Sequence, residues 1–357
     1  MTWYLRNTWY AAAFINELEE ADFVARTICD VPMVMFRRKD GSVAALHDRC
    51  PHRLVPLSMG WRKDDTIQCG YHGLRFDGEG TCVELPFEHG QARPDVCVDS
   101  YPLVERDTIC WVWMGDKDKA DQALIPDFGV LTDPDFGHAR DHSRFKCNYQ
   151  ILCDNLLDLS HIHYLHPGVH DGSNFADFKN EVSVEGSTIW SMLYRPGYVL
   201  DDAKREAWGL KGETCDGQGH SRWTVPGMMF VDTAFWDHGA DIESAARHPS
   251  THLLTPETEF SSHYLWVASR NYGPRDAEAM QQVQQGVRAI FETQDGPMAE
   301  AQQRAMGEET DLLKLHPAIL KADKAGVLAR RPLQRLIREE NGFKAEEPGN
   351  LVREPLG

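Results

Sequence analysis

Short runs of alternating apolar and polar residues dominate the first third of the chain and predict β-strands. In ICDVPMVMFRRKDGSVAALHD, two such runs flank Asp40-Gly41, a pair typical of a tight hairpin turn. RFDGEGTCVEL repeats the arrangement around Asp77-Gly78, and DTICWVWMG adds another β-branched and aromatic run. Strands this short and this closely spaced predict a small sandwich or barrel.

The pattern becomes mixed after the polar stretch 115–122, which we interpret as a linker. EGSTIWSMLYRPG and SSHYLWVASRNYG have the character of strands, whereas residues 277–294 and 298–314 have helical composition and spacing. Because Pro297 lacks a backbone donor, we expect the helix to break or kink there. The chain from about residue 341 is rich in Gly, Pro and charge and predicts a loose tail. The whole is an α+β protein.

Composition and charge narrow the possible functions. The chain has 357 residues, of which 26% are charged and 42% hydrophobic, and this length suits two globular domains. A formal net charge of −18 disfavours binding to nucleic acid. No stretch approaches the roughly 18 apolar residues of a membrane span. The N-terminus does not resemble a signal peptide, and the nine cysteines form no regular framework, so we expect a cytoplasmic protein with reduced thiols or metal ligands.

The first group of candidate metal ligands comes as two mixed pairs. Cys50-x-His52 is followed after sixteen residues by Cys69-x-x-His72. Thiolate and imidazole suit a zinc ion or an iron–sulfur cluster. A Cys2His2 zinc loop is the simpler interpretation. However, each loop supplies one thiolate and one imidazole, which also fits a [2Fe–2S] cluster with two Cys ligands on one iron and two His ligands on the other.

Glycines and flanking residues favour the cluster over zinc. Gly60, Gly70 and Gly73 allow the backbone to come close to an inorganic core, where its amides can donate to sulfide. CPHRLVPLSMG and CGYHG resemble the two cluster-binding loops of Rieske proteins, including Pro51 and Arg53 beside the first histidine. The resemblance implies an all-β Rieske domain with Cys50, His52, Cys69 and His72 as ligands.

The second group of candidate ligands lies in NLLDLSHIHYLHP. Ideal helical spacing puts His163 and His166 on one face, because they are three residues apart. Pro167 removes the basis for that choice, since the residue before a proline is pushed out of the α region. The helix should then end before His166, and His161 can share a face with Asp158.

This segment resembles the N-x-x-D-x-x-H-x4-H motif of Rieske non-haem iron oxygenases. The resemblance implies that His161 and His166 bind a catalytic Fe(II), with His163 at a variable position. The third ligand of the family is a carboxylate on a late helix, for which Asp295 is the matching residue and Glu292 a weaker candidate. Two histidines and a carboxylate leave positions open on iron for dioxygen and substrate.

The same resemblance implies a role for the first two motif residues. Asp158 would bridge His161 to His72 of the partner subunit in a homotrimer, and so carry electrons between the two centres. A carboxylate between two imidazoles fixes both tautomers. Asn155 is either a residue that supports the iron ligands or a structural hydrogen-bonding group.

The resemblance covers nearly the whole chain and implies a Rieske domain over 1–118, a catalytic domain over 119–345 and a tail over 346–357. The catalytic domain is expected to be an antiparallel sheet wrapped around a helix, the helix-grip type. The chain is similar to the subgroup that includes vanillate O-demethylase, dicamba O-demethylase and toluenesulfonate methyl-monooxygenase. It has no GxGxxG motif after a strand, so electrons must come from a separate NAD(P)H-dependent reductase. We expect a flavin and ferredoxin type that docks near Arg53 and Arg62.

The implied activity is monooxygenation of a substituted aromatic acid, by O-demethylation or by hydroxylation of a methyl group or ring. His252 matches a pocket position of the dicamba-type enzymes, and Phe230 and Gly286 lie near other pocket positions. One alternative is a cis-dihydroxylating aromatic ring dioxygenase. An alternative of another class is a Rieske electron-transfer protein without substrate chemistry, which would have no need of the second group of ligands.

Single substitutions distinguish the three histidines. His161→Ala and His166→Ala should each lose the mononuclear iron and keep the acid-labile sulfide of the cluster, whereas His163→Gln should keep both. Iron and sulfide analysis of the purified variants measures this. Loss of the mononuclear iron in His163→Gln and His166→Ala, with the iron kept in His161→Ala, would instead support the ligand pair chosen by helical spacing.

Overall fold

The computed structural model describes residues 2–89, 92–166, 179–273 and 275–343. The N-terminal region consists of short strands, as the alternating pattern predicts. The strands are β1 (Trp9–Phe14), β2 (Val24–Ile28), β3 (Val31–Arg37), β4 (Val43–His47), β5 (Trp61–Lys63), β6 (Thr66–Gln68), β7 (Arg75–Phe76), β8 (Thr81–Glu84), β9 (Arg93–Cys97), β10 (Ser100–Tyr101), β11 (Leu103–Arg106) and β12 (Ile109–Trp113). They form antiparallel sheets in the orders β1-β12-β11, β10-β4-β3-β2 and β5-β6-β7-β8-β9.

Both hairpins expected from Asp-Gly pairs are present. Arg37 on β3 pairs with Val43 on β4, and Gly41 in the turn has a φ of +86°, which a glycine adopts without strain. β7 and β8 flank the second turn and pair antiparallel with a register shift. The small all-β domain predicted from the sequence is therefore confirmed.

The second half of the chain is built on one large antiparallel sheet. Its strands are β13 (Gly137–Phe145), β14 (Lys179–Glu185), β15 (Thr188–Tyr198), β16 (Cys215–Thr224), β17 (Met228–Asp237), β18 (Ala246–Arg247), β19 (Ser250–Thr258) and β20 (Ser261–Arg270). They follow the order β13-β20-β19-β17-β16-β15-β14, with β18 paired to β17.

Strand alternation gives this sheet two different faces. Leu253 and Leu265 lie on one face and pack with Trp111 and its neighbours from the N-terminal domain. Leu254 and Trp266 lie on the other face, within the core that the helices cover. Because successive side chains on a strand point to opposite sides, each central strand contributes to both cores. The sheet therefore separates the interface with the N-terminal domain from the helical layer.

The helices are α1 (Ile15–Glu20), α2 (Tyr149–Leu157), α3 (Ile162–Leu165), α4 (Asp202–Ala207), α5 (Ala277–Ile290), α6 (Gly296–Met306) and α7 (Lys324–Glu340). Helix α2 packs between the sheet and helices α6 and α7. Helix α7 was not predicted from the sequence. Its Arg330 is buried and forms a salt bridge of 2.5 Å with Asp154 on α2, which fixes α7 against the layer.

Of the break or kink expected at Pro297, the break does not occur. A π-helical segment, Phe291–Asp295, joins α5 to α6, and Pro297 lies in the first turn of α6. A proline in a first turn removes a donor that has no partner within that helix, so the chain continues without a break. The region 298–314 is helical only to Met306, after which a short 3-10 turn covers Leu312–Leu315.

Two histidines join the N-terminal domain to the large sheet. His142 Nε2 lies 3.0 Å from His263 Nδ1, and His263 Nε2 lies 2.9 Å from the Thr27 carbonyl oxygen. Arg26, which also pairs with Glu17, lies 3.1 Å from His142 Nδ1. Burial and the neighbouring Arg26 lower the pKa of His142 to about 3 and of His263 to about 4. Both rings are therefore neutral at pH 7.

This contact predicts a loss of stability in mild acid. An unfolded histidine has a pKa of about 6.5, so between about pH 4 and 6.5 the unfolded chain binds more protons than the folded one. The free energy of unfolding should fall as the pH is lowered through this window, by up to about 1.4 kcal/mol per pH unit for each histidine. Thermal unfolding of the wild type and of His142→Gln, measured from pH 7.5 to 5, should show a shallower pH dependence in the variant. The exposed His316→Gln is the control, and equal slopes in His142→Gln and wild type would contradict the prediction.

Candidate metal centres and cavity

The structure brings together the two predicted cluster loops. Cys50 and Cys69 are both 1% exposed, and the rings of His52 and His72 lie 4.5 Å apart. Each loop is closed by backbone hydrogen bonds around its cysteine, such as Cys50 N–H to the Val55 carbonyl at 2.9 Å. The site thus contains two buried thiols and two more exposed imidazoles, and each loop supplies one of each kind.

Glycine is required where the loops meet. A Cβ at Gly60 would lie 1.9 Å from the Gln68 carbonyl oxygen and 2.8 Å from the Gly70 nitrogen. A Cβ at Gly70 would lie 2.6 Å from the Met59 carbonyl oxygen. No side chain fits at such distances, so these two glycines set the spacing between the loops.

The donor set fits a Rieske cluster. The Nδ1 atom of His72 is buried and has no hydrogen-bond partner among the described residues, a condition that a metal bond would relieve. Burial raises the pKa of the Cys50 thiol to about 11, with a contribution from the adjacent Cys69. A buried thiol of this kind becomes a thiolate when a metal binds it. The residues that could hold the cluster are therefore Cys50, His52, Cys69 and His72.

The segment with the second candidate ligands folds as a helix, a turn and a short helix. Helix α2 ends at Leu157, and the Asp158 Oδ1 atom accepts a 2.9 Å hydrogen bond from Ser160 N–H, capping the 3-10 turn that contains His161. Helix α3 ends at Leu165, and His166 has φ −113° and ψ 73°. His166 is thus outside the helix, as expected for a residue before proline, although Pro167 itself lies outside the described residues.

Three predicted ligands converge on one point. Asp295 Oδ1 lies 3.4 Å from His161 Nε2, and Asp295 Oδ2 lies 3.4 Å from His166 Nε2. One ligand atom of each residue lies within 4.8 Å of the others, and no further His, Cys, Asp or Glu of the described residues belongs to this group. His163 is therefore not part of it.

Hydrogen bonds orient each of the three groups. The Nδ1 atom of His161 lies 2.6 Å from the Asp158 carbonyl oxygen, and that of His166 lies 2.6 Å from Gln294 Oε1. Asn155 donates a 3.1 Å hydrogen bond to Asp295. With Nδ1 occupied in this way, each imidazole presents Nε2 to a metal. These residues could hold a ferrous ion on one face and leave the other face open.

Asp158 contacts His161 differently from the expectation. The contact is made by the backbone carbonyl of Asp158 and not by its carboxylate, which caps the following turn. The reason is local: the chain leaves α2 at Asp158, so its carbonyl points along the turn towards the histidine ring three residues later.

The π-helical segment determines which carboxylate late in the chain joins the two histidines. Asp295 is 4% exposed and faces the histidines, whereas Glu292 lies near Ser143 and Arg288, at 3.4 Å from each. Glu292 does not join the ligand group. Gln294, the residue before Asp295, also reaches His166. Gln294 was not predicted, and no sequence pattern marks it, because its contact depends on how this irregular turn is rotated.

The electrostatics of Asp295 suit a metal ligand. Burial acts to raise the pKa of its carboxyl, but hydrogen bonds from His161 and His166 together hold that pKa well below its usual range. Asp295 is therefore ionised at neutral pH. A buried carboxylate is stable only when it is paired in this way or bound to a metal.

A cavity of about 350 Å³ opens beside the three ligands. Its described walls are largely apolar and come from β17, β19 and β20 of the large sheet and from α5. The apolar contribution of α5 comes from one face of that helix, which carries Met280, Val283, Val287 and Ile290. A pocket of this size and polarity suits a small aromatic molecule.

Of the three predicted pocket residues, one lines the cavity. His252 is in its wall. Phe230 packs instead with the aromatic core at the N-terminal domain, because alternation along β17 points Met229 and Val231 towards the helical side and Phe230 away from it. Gly286 on α5 is exposed, and a Cβ there would meet nothing within 4 Å. Neither Phe230 nor Gly286 is among the described cavity residues.

Comparison with known proteins identifies the family. Residues 8–102 match the Rieske [2Fe-2S] domain, and residues 145–339 match the vanillate O-demethylase oxygenase C-terminal domain. The chain belongs to the Rieske non-haem iron oxygenases. It is an oxygenase component. No helix in the described ranges of this oxygenase is long and apolar enough to cross a membrane.

Relatives match this oxygenase over almost its full length. It is 36% identical to the oxygenase component of dicamba O-demethylase from Stenotrophomonas maltophilia, over 93% of this chain and 98% of that protein. It is 32% identical to the iron–sulfur subunit of toluene-4-sulfonate monooxygenase from Comamonas testosteroni, over 96% and 99%. The crystal structure of dicamba monooxygenase bound to 3,6-dichlorosalicylic acid superposes with a TM-score of 0.86 at 35% identity, covering 94% of this chain and 98% of that one.

Membership of the family gives the cofactors. The oxygenase uses a Rieske [2Fe–2S] cluster, a non-haem Fe(II) and dioxygen, and it works with a separate reductase. The two ligand groups described above fit these two cofactors.

The contact between the cluster loops gives a testable prediction. Gly60→Ala should displace the loops, because its Cβ would overlap the Gln68 carbonyl, and most of the acid-labile sulfide and visible absorption of the cluster should be lost. Gly286→Ala is the matched control, since its Cβ enters open space on a helix. Full cluster content in Gly60→Ala would show that the loop spacing does not depend on this glycine.

Proposed function

We propose that this chain is a terminal oxygenase that inserts one atom of dioxygen into a substituted aromatic acid, removing an O-methyl group or hydroxylating a methyl group or ring. The observation that supports this most directly is the position of His161, His166 and Asp295. They lie at the wall of an apolar cavity large enough for one aromatic ring. An electron-transfer protein would need neither the ligand group nor the cavity.

In this proposal, Cys50, His52, Cys69 and His72 hold the cluster, and His161, His166 and Asp295 hold Fe(II). When bound, the ferrous ion supplies the activation of dioxygen. The chain orients the two histidines through the Asp158 carbonyl and Gln294, and it orients the carboxylate through Asn155. Trp266 and Phe291, whose rings are 5.6 Å apart, exclude water beside the ligands.

Electron delivery is proposed to occur across a subunit interface of a homotrimer. Electron transfer falls steeply with distance, and we expect the two centres of one subunit to lie far apart. Exposed apolar side chains lie in or near the cluster loops along the chain, and two of them, Tyr71 and Phe87, lie beside the His72 ring, as a protein interface would require. The full set is Leu54, Met59, Trp61, Tyr71 and Phe87. The Asp158 carboxylate would then accept from His72 of the partner subunit while its carbonyl holds His161.

The electron donor is proposed to be an NAD(P)H-dependent reductase of flavin and ferredoxin type. The charge of −18 on this chain favours a donor with a basic docking face. Arg53 and Arg62 near the cluster would give the docking site local specificity.

We also propose a cytoplasmic location, because none of the nine cysteines, all within the described residues, is disulfide-bonded. The domain limits 1–118, 119–345 and 346–357 also remain a proposal, and the last lies outside the described residues.

Oxygen uptake with labelled dioxygen tests the proposed activity. The reconstituted oxygenase and a reductase, supplied with NADH, should take up oxygen in the presence of methoxylated, methylated or sulfonated aromatic acids. Methoxy substrates should release formaldehyde that carries the one labelled oxygen atom, and substrates that are hydroxylated on a methyl group or ring should give an aromatic product with one labelled oxygen atom. His161→Ala should abolish the uptake.

Other products would contradict the proposal. Two labelled atoms in a cis-diol would indicate the dioxygenase instead. Reduction and reoxidation of the cluster without substrate-dependent uptake, unchanged in His161→Ala, would indicate an electron carrier.

A further inference from the structure

Hydrogen bonds join two side chains of the cavity wall to a buried tyrosine. Ser250 and His252 are two residues apart on β19, so their side chains point to the same face of the sheet, and both line the cavity. The Ser250 Oγ atom lies 2.8 Å from His252 Nε2, and the Tyr264 hydroxyl lies 2.7 Å from His252 Nδ1. The three groups therefore form one continuous chain of hydrogen bonds that begins in the core and ends at the cavity.

The protonation states of the histidine and the tyrosine are fixed at neutral pH. Burial lowers the pKa of His252 to about 3 and raises the pKa of the Tyr264 hydroxyl well above its usual range. The imidazole is therefore neutral, with one N–H donor and one lone pair that accepts, and the phenol keeps its proton. Two arrangements of the hydrogen atoms satisfy both contacts of His252.

The first arrangement leaves a donor unpaired inside the protein. With its proton on Nδ1, His252 donates to the Tyr264 oxygen and accepts from Ser250 at Nε2. The Tyr264 O–H then has no acceptor, because its contact with His252 is its one hydrogen bond within the described ranges. Tyr264 is 2% exposed and belongs to the core that the helices cover, where an unpaired donor carries the full cost of its lost hydration.

The second arrangement pairs both buried donors. The Tyr264 O–H donates to Nδ1, and the Nε2–H of His252 donates to the Ser250 oxygen. The hydrogen of the Ser250 hydroxyl then has no acceptor in the part of the chain that the structure describes. Because Ser250 is only partly buried and lies in the cavity wall, a molecule in the cavity can accept this hydrogen bond. The burial of Tyr264 thus sets the direction of donation, from the core towards the cavity.

Strand pairing places the Ser250 hydroxyl between apolar side chains. Ser250 lies directly opposite Val231 on β17 and Ala268 on β20, and both of these residues also line the cavity. Side chains of directly opposite residues lie on the same face of a sheet and close together. Val231 and Ala268 have no side-chain donor, so the Ser250 hydroxyl supplies the hydrogen bond for an oxygen atom that meets this part of the wall.

We propose that the Ser250 hydroxyl donates a hydrogen bond to the acid group of the substrate, and that His252 and Tyr264 position this hydroxyl without contacting the substrate. This inference rests on the proposed function. An aromatic carboxylate or sulfonate offers strong oxygen acceptors, which match a hydroxyl whose hydrogen is directed into the cavity. His252 has a partner at each ring nitrogen, so it would have to give up a buried hydrogen bond to contact the acid group itself.

Matched ligands and removal of the hydroxyl test this assignment. The probes are the three isomers of methoxybenzoate, each compared with the isopropylanisole of the same substitution pattern, in which a branched alkyl group replaces the carboxylate. Affinity is measured by calorimetry on the holoenzyme without dioxygen. Ser250→Ala should weaken the tightest-binding acid by about 10- to 100-fold and leave its isopropylanisole partner nearly unchanged, because a hydrogen bond to a charged oxygen is lost. Ser250→Thr keeps a hydroxyl and should retain most of the affinity.

A double-mutant cycle tests the direction of donation. Tyr264→Phe removes the O–H that holds the proton of His252 on Nε2, so the Ser250 hydroxyl can donate to Nε2 instead, and the affinity for the acid should fall. In Ser250→Ala/Tyr264→Phe the loss should be no larger than in Ser250→Ala alone, because Tyr264 acts through Ser250. Losses that add on a logarithmic scale would show that Tyr264 acts independently and would overturn the directed chain.

Two controls make the same substitutions elsewhere. Ser183→Ala removes a partly buried hydroxyl from β14, at a residue that is not among the described cavity residues. Tyr149→Phe removes a buried hydroxyl that has no hydrogen-bond partner among the described residues. Both variants should keep the wild-type ratio of acid affinity to isopropylanisole affinity. A fall of this ratio in either control that equals the fall in Ser250→Ala would overturn the assignment.

Two further outcomes distinguish the inference from the proposed function. If the wild type binds and oxidises aromatic acids but Ser250→Ala keeps the wild-type ratio of acid affinity to isopropylanisole affinity, the Ser250 assignment fails and the proposed function stands. If no methoxybenzoate or other aromatic acid binds or stimulates oxygen uptake, the proposed function fails and the assignment fails with it.

Discussion

The active region depends on one buried carboxylate. Asp295 is almost fully removed from water, and such a charge is stable only with partners of opposite charge or with hydrogen-bond donors. His161, His166 and Asn155 supply those partners from a segment far away in the chain. The same requirement holds α2 and the π-helical segment together. The contacts that position the iron ligands therefore also stabilise the packing of the helical layer.

The large antiparallel sheet imposes the second constraint on the structure. One of its faces packs against the N-terminal domain, and the other face forms part of the cavity wall. On β19, Leu253 packs against the N-terminal domain, whereas Ser250 and His252 line the cavity. A substitution on one side is therefore felt mainly by one partner. This division explains why Phe230 stabilises the domain interface while its neighbour Val231 lines the cavity.

The two metal centres have different physical origins. The cluster loops are local: each is a short turn closed by its own backbone hydrogen bonds, and the loops meet where Gly60 and Gly70 leave no room for side chains. The iron site is assembled over long range, from a helix end near residue 160 and an irregular turn near residue 295. The first centre needs only correct hairpins, whereas the second needs the complete fold.

The sequence alone determined the chemistry that is encoded locally. Motifs whose residues lie close together in the chain could be predicted from the sequence: the Cys-x-His and Cys-x-x-His loops, the hairpins and the N-x-x-D-x-x-H-x4-H segment. Pro167 also correctly predicted that the helix ends before His166. Only the tertiary structure decided that Asp295 and not Glu292 meets the histidines, that Gln294 supports His166, that Pro297 does not break its helix, and that His252 lines the cavity while Phe230 does not. Each of these depends on helix rotation or strand register, which long-range packing sets and local sequence does not.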